Sequence, residues 1–500
     1  MKINMMKNLK LIAICLLLIA QSSSAQQKSF LQFADVLQSN MVLQQNKPFK
    51  VWGRAVAGQS VKIKADWMNN EVIVRAENDS SFVGIIVMPV AKENDFTKHE
   101  LSIESNGEKV ILNNLLIGDV WFCSGQSNMQ FSMKEIKDSA IEVPAANYPN
   151  IRLFSAALNF SASPINNING KCVECSPKTV LNFSAVGYSF GKELYNNLRI
   201  PIGLIFSGIG ASSAQAYVPQ DVLAADTMLN RVYLQPYLNS DKSKEKIDGG
   251  FSFEKVTRPF LLYNAIIHPF INLSVKGFCW YQGESNRNER ESYTRLTQAL
   301  IKSWRQNFAQ DNLPFYYVQV APFYYNKEDP VLADYAFFRE AQENIATLNN
   351  TAMVLTMDVG ESKNLHPKNK KPVGVRLAKT ALNRTYGKLD VLYQGPQYDY
   401  MEIQKKKIVI HFSKQSVAGG LQTKDNLALK HFEIAGADKV FHPADAVIAN
   451  ETVVVSSPLI KKPVAVRYAF TNYPVTNFEN KAGIPAVPFR TDDWDEQVGK

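Results

Sequence analysis

Val120-Trp121-Phe122-Cys123-Ser124-Gly125-Gln126-Ser127-Asn128-Met129 sets an apolar run directly against small polar residues. A strand buried on both faces is apolar at consecutive positions rather than alternate ones, and such strands belong to parallel sheets covered by helices. The same signature recurs in Gly203-Leu204-Ile205-Phe206, Gly277-Phe278-Cys279-Trp280, Phe315-Tyr316-Tyr317-Val318 and Met353-Val354-Leu355-Thr356. Between these runs, apolar residues at helical spacing mark Ser184–Asn196, Tyr293–Asn307 and Pro372–Arg384. Alternating buried strands and helices predict an α/β core around a parallel sheet.

Outside this core the period changes to two. From Phe33 to about Leu116, short alternating runs such as Val61-Lys62-Ile63-Lys64 read as a small antiparallel β domain. Alternation returns from about Val391, in Lys407–Phe412, Val453–Val455 and Ala465–Tyr468. A chain of 500 residues is too long for one core. The expected division is 1–25 as a removed leader, 26–116 as the N-terminal β domain, 117–390 as the catalytic domain and 391–500 as a C-terminal β region.

The leader expectation rests on Lys2, Lys7 and Lys10 before the apolar run Leu11–Ala20, then Ser22-Ser23-Ser24-Ala25 as a cleavage point. It implies export to a periplasmic or extracellular space. Cys15 is a poor lipidation site, because Ile14 is larger than the small residue such sites need. No later segment reaches about 18 uninterrupted apolar residues, so no membrane span is expected. The formal charge of +9 is spread along the chain without a basic stripe, which argues against nucleic acid as a partner. Export permits disulfides. Cys172-x-x-Cys175 is open to reading as a redox pair, half a zinc site or a local disulfide, but no second pair completes a metal set. Cys123 and Cys279 read as small buried hydrophobes.

Ligands of open parallel sheets lie beyond the carboxyl ends of the strands. Four small-residue loops follow strands here: 124–129, 207–212, 281–286 and 358–366. Together they hold a hydroxyl (Ser127), an imidazole (His366), amides (Gln282, Asn286) and close-approach glycines. That inventory fits acyl transfer. A serine hydroxyl needs an adjacent base, and the tetrahedral intermediate needs fixed donors for its oxyanion. The backbone N–H groups of Ser127 and Gly210 and a side-chain amide of Gln282 or Asn286 are the donors expected. Of six histidines, only His268 and His366 fall in the α/β part. His268 sits in a packed helix end, whereas His366 lies between a strand and a helix. Glu284 reads as a carboxylate that orders its loop. A competing motif, Gly187-Tyr188-Ser189-Phe190-Gly191, requires a turn after a strand to work. Phe183, Val186, Phe190 and Leu194 recur through it at helical spacing, so Ser189 is read as helix interior.

Gly125-Gln126-Ser127-Asn128-Met129 resembles the first block of the SGNH hydrolase superfamily. Trp280-Tyr281-Gln282-Gly283-Glu284-Ser285-Asn286 and His366-Pro367-Lys368-Asn369-Lys370 resemble the sialate O-acetylesterase family within it. Phe183–Tyr188, Leu262-Tyr263-Asn264, Arg339–Gln342 and Arg490–Trp494 match in the same order, across nearly the whole mature chain. The resemblance implies a flavodoxin-like SGNH core flanked by β-sandwich-like regions, with no metal or organic cofactor. It implies that Ser127 attacks an acetyl carbonyl, that His366 shuttles the proton, and that Gly210 and Gln282 stabilise the oxyanion. The partner it implies is an O-acetylated sugar, sialic acid first and acetylated xylan or other plant glycans second.

Two departures stand out. The family carries Asp two residues before the histidine, where this chain has Asn364, which leaves Asp358 and Glu361 as nearby acids. The expectation is a Ser127–His366 dyad oriented by a neutral acceptor. The family's W-G-G-T block is Ile209-Gly210-Ala211-Ser212 here. These departures motivate a reading from a different class, a catalytically weakened carbohydrate-binding relative.

Overall fold

The apolar runs assemble into one sheet. The computed structural model describes residues 30–310, 312–325, 332–417 and 419–494. The expected leader, with Cys15, lies outside the described residues. Two compact units divide the chain. One takes residues up to Ala34 with Val51–Gly84 and Leu101–Ile111; the other takes Asp35–Lys50, Ile85–Glu100 and Leu112–Lys500.

In the first unit, Ser60–Ala65 pairs antiparallel with Val72–Arg75 and with His99–Ser105. Its period-two pattern buries Val61, Ile63 and Ala65 on one face, opposite Leu101 and Ile103.

The second unit holds the mixed α/β core. In chain order its strands are β1 (Glu108–Gly125, the first few residues lying in the other unit), β2 (Tyr148–Ser155), β3 (Cys172–Cys175), β4 (Ile202–Phe206), β5 (Gly277–Tyr281), β6 (Phe315–Val318) and β7 (Thr351–Val354). Across the sheet the order is β3-β2-β4-β1-β5-β6-β7, all neighbours parallel except the β3–β2 pair. The order in which strands are added reverses at β1, whose partners are β4 and β5. That places a switch-point crevice at the carboxyl end of β1.

The helices α1 (Ser127–Gln130), α2 (Ala185–Leu198), α3 (Glu291–Phe308), α4 (Asp334–Glu343) and α5 (Lys371–Arg384) follow the sheet strands. The expected helices are present as α2, α3 and α5. On one face, Val186, Phe190 and Leu194 of α2 and Val373, Leu377 and Ala381 of α5 pack with Trp121, Leu204 and Phe206. A Cβ on Gly374 would lie 2.5 Å from the Val186 carbonyl oxygen, so only glycine permits α5 to approach α2 this closely. On the other face, Trp304 and Phe308 of α3 meet Phe122 and Phe278 edge to face.

The sequence reading missed two strands, β2 and β3. The β2 run is interrupted by Arg152, which is 1 % exposed. The guanidinium donates to carbonyls of Pro149, Asn40 and Asn114 and reaches Glu174 at 3.3 Å, so a buried cation is satisfied inside a strand. The C-terminal strands pack around Ile408, Ile410, Phe432, Val453, Tyr468, Phe478 and Phe489.

Cys123, Cys172, Cys175 and Cys279 are all free thiols. Burial pushes the Cys172 and Cys175 thiols up to about 12, away from the thiolate form that thiol exchange requires. Among the described residues no helix is long and apolar enough to cross a membrane, and no group of three or more His, Cys, Asp or Glu could hold a metal ion.

Candidate active site

β1 ends at Gly125, with φ of +138°. A Cβ there would fall 2.2 Å from the Tyr281 carbonyl oxygen. The glycine therefore lets the chain turn tightly against β5 and present Ser127 at the head of α1. Gln126 locks this turn: its N–H donates to the Tyr281 carbonyl at 3.0 Å, and its Oε1 accepts from the Gly283 N–H at 3.1 Å.

His366 Nε2 lies 2.8 Å from Ser127 Oγ. Phe131, just past α1, stacks on the imidazole with ring centroids 6.5 Å apart. The pair faces an open cleft of about 430 Å³ bordered by Gln130, Phe131, Lys134, Glu135 and Asn182. Burial first, and Lys370 second, lower the imidazole from its ordinary value of 6.5, while Glu135 opposes them.

The histidine loop is ordered by backbone bonds. Asn364 Oδ1 accepts from the His366 N–H at 3.0 Å, and Asn364 Nδ2 donates to Glu361 Oε2 at 2.9 Å. Glu361 Oε1 accepts from the Lys368 N–H at 2.8 Å. Asp358 is held by Arg376 at 2.7 and 2.6 Å. Neither acid reaches the ring, and Asn364 serves the His366 main chain instead of its imidazole. Among the described residues none accepts a hydrogen bond from Nδ1.

Gly210 lies beside the serine: a Cβ on it would be 3.5 Å from Ser127 Cβ. Its N–H donates at 2.8 Å to Gln130 Oε1, a residue the sequence reading did not single out. Gln282 is placed differently from the expectation. It is fully buried, its Nε2 donates to Ser212 O at 3.2 Å and to Asn286 Oδ1 at 2.7 Å, and its Oε1 accepts from the Tyr293 hydroxyl. Both amide hydrogens are committed, which leaves none for an oxyanion. Asn286 is similarly engaged: it accepts from Ala214 N–H and donates to Gln215 and Glu289. Both amides bind the loop after β5 to the loop after β4.

Ala211 sits at φ +62°. A left-handed alanine costs about 1–2 kcal/mol, and glycine gives back about 0.4–1 kcal/mol through the unfolded chain. Ala211→Gly is therefore expected to stabilise by roughly 0.5–1 kcal/mol, read as a rise in denaturant midpoint at constant slope. A lower midpoint would count against strain at this turn.

Beneath the serine, Asn128 is fully buried. Its Nδ2 donates to Glu284 Oε1 and, at 3.2 Å, to the Leu365 carbonyl, while its Oδ1 accepts from Lys370 Nζ. Glu284 thus ties the loop after β5 to the serine turn. Lys370 was visible only as part of the His366–Lys370 motif, with no local sign that it turns inward.

A serine and a histidine in contact at the switch point of a parallel sheet are the layout of α/β hydrolytic enzymes. Residues 246–383 match the family model described as carbohydrate esterase, sialic acid-specific acetylesterase. The chain is 28% identical to the sialate O-acetylesterase of Rattus norvegicus, over 95% of this chain and 96% of that one. It is 27% identical to that of Homo sapiens, over 92% of each. A solved carbohydrate acetylesterase from Xanthomonas citri superposes with a TM-score of 0.82 at 30% identity, covering 93% of this chain and all of that one. The chain belongs to the sialate O-acetylesterase family of carbohydrate esterases.

Proposed function

We propose that this protein hydrolyses O-acetyl esters of sugars through a covalent acetyl-serine. The observation that carries the reading is the 2.8 Å contact between Ser127 Oγ and His366 Nε2. Ser127 Oγ attacks the acetyl carbonyl as His366 Nε2 takes its proton. The C–O bond to the sugar breaks, and His366 returns the proton to the departing sugar oxygen. Water, deprotonated by the same imidazole, attacks the acetyl-serine; the bond from Ser127 Oγ to the acyl carbon breaks, Oγ regains the proton from His366, and acetate leaves. The oxyanion meets the N–H groups of Ser127 and Gly210, so the substrate carbonyl must displace Gln130 Oε1 from the latter. Residues 117–390, read as a flavodoxin-like SGNH core, carry the reaction. The leader 1–25 directs export.

The substrate is an acetylated sialic acid, on the strength of the relatives' names, with acetylated xylan or other plant glycans as the alternative. Acetate release across acetylated sialic acid, xylan and pectin tests this. Acetyl esters are expected to be cleaved faster than octanoyl esters, in line with the acetylesterase names of the relatives. No acetate from any acetylated glycan would sink the proposal. It would favour the weakened carbohydrate-binding relative, which the missing acid at Asn364 supports.

The lowered imidazole has a signed consequence. His366 must be unprotonated to act as base, so kcat/KM is expected to hold as pH drops through 6.5 and to decline only below it. An acid limb above 6.5 would contradict this. With no candidate metal cluster among the described residues, activity is expected to survive prolonged chelation. Loss on chelation with rescue by zinc or calcium would point to a metal.

A further inference from the structure

Lys370 is 2 % exposed, immediately before α5, and the proposed reaction does not use it. Its Nζ donates to Asn128 Oδ1. It sits 4.7 Å from the centroid of the Phe131 ring and 5.9 Å from that of Tyr281, and Phe131 is the ring that stacks on His366. Asn128, one residue past Ser127, donates to Glu284 and to the Leu365 carbonyl just before His366. One carboxamide therefore joins a buried ammonium, a buried carboxylate, the serine turn and the histidine loop.

Packing alone does not call for a charge here. A buried ammonium is costly unless paired, and among the described residues no carboxylate lies within ion-pair distance of Lys370 Nζ. A triad acid favours the imidazolium; a cation nearby disfavours it. In this chain the acid position holds Asn364, and a cation lies 4.7 Å from the centroid of the ring that stacks on the histidine.

We propose that Lys370 is a positioning residue for His366: through Asn128 it fixes the serine turn against the histidine loop, and its ammonium charge acts on the imidazole. Burial brings the Lys370 ammonium down to about 7, so it carries its charge on the acid side of neutrality, where an imidazole gains its proton. The groups around His366 are Ser127 at the head of α1, Lys134 and Glu135 beyond α1 on the same cleft, and Lys370 before α5. Those acting on Lys370 are Glu284 after β5, Glu361 on the histidine loop and Glu135. Glu135 opposes Lys370 at the imidazole. The role as base rests on the esterase reading; the coupling of charge to ring does not.

The test follows the His366 imidazole titration by NMR in the whole protein, assigned with His366→Ala, alongside kcat/KM against pH on an acetyl ester. Wild type is compared with Lys370→Met, Lys370→Gln and Lys370→Arg. The midpoint is expected to rise by about half a pH unit or more in Met and Gln, and to stay in place in Arg, which retains the charge. The acid limb of kcat/KM should follow the imidazole. If the midpoint is the same in all four proteins, whatever activity is lost, Lys370 only packs and the proposal fails. If Met does not fold, Gln retains an N–H for Asn128 and decides the matter against Arg. A wild type inactive on every acetyl ester, with the imidazole shift still present, overturns the esterase reading and leaves the charge coupling standing.

Discussion

Replacing Ser127 by alanine is expected to lower acetyl-ester turnover by roughly a million-fold, the scale of losing a serine nucleophile, without unfolding the protein. The hydroxyl bonds to His366 Nε2 and heads α1 at the edge of an open cleft, so its removal leaves no buried polar group unpaired. The turn that presents it is held by Gly125 and Gln126, which the substitution does not touch. The control is Ser189→Ala. Ser189 lies within α2 on the side that meets Gly374 of α5, and its loss should leave kcat unchanged. Matched circular dichroism and acetate release decide the point. Substantial turnover by Ser127→Ala, with Ser189→Ala inactive, would overturn the assignment.

His366→Ala is expected to cost nearly as much, because the serine loses its base and the leaving oxygen its proton donor. The neighbouring polar residues should behave differently, each for a structural reason. Asn364→Ala removes the acceptor for the His366 N–H and the bond to Glu361, so kcat should fall by only about tenfold, through a looser loop. Glu361→Ala acts on the same loop and should match it. Asp358→Ala leaves the Arg376 guanidinium without its carboxylate, so it should lower melting temperature more than kcat. Asn364→Asp does not install a triad acid: the new carboxylate would face Glu361 where an amide N–H now donates. If Asp358→Ala or Glu361→Ala, in a folded protein, proves as damaging as His366→Ala, the dyad reading fails and a relocated acid completes a triad.

Local chemistry by itself determined five strands of the core and placed Ser127 at their edge. A parallel strand buried on both faces has little choice of residue, so β1, β4, β5, β6 and β7 stand out as apolar runs, and polar residues directly after such a run fall at the edge where ligands bind. Helical spacing through Ser189 was equally local and sufficed to set that serine aside. β2 escaped because Arg152 breaks its run, and the carbonyls of Asn40 and Asn114 that satisfy the arginine come from elsewhere in the chain. Tertiary structure alone decided which partner each polar side chain takes. Gln282 has the right chemistry and the right loop for an oxyanion donor, yet its hydrogens turn to Ser212 and Asn286. Asp358 has the right charge near the histidine, yet a guanidinium one helix away claims it. Lys370 carries no local sign that it turns inward, but it meets Asn128 across 242 residues of chain. Burial and partner choice for such groups follow from desolvation and hydrogen-bond satisfaction over the assembled site, and spacing along the chain carries neither.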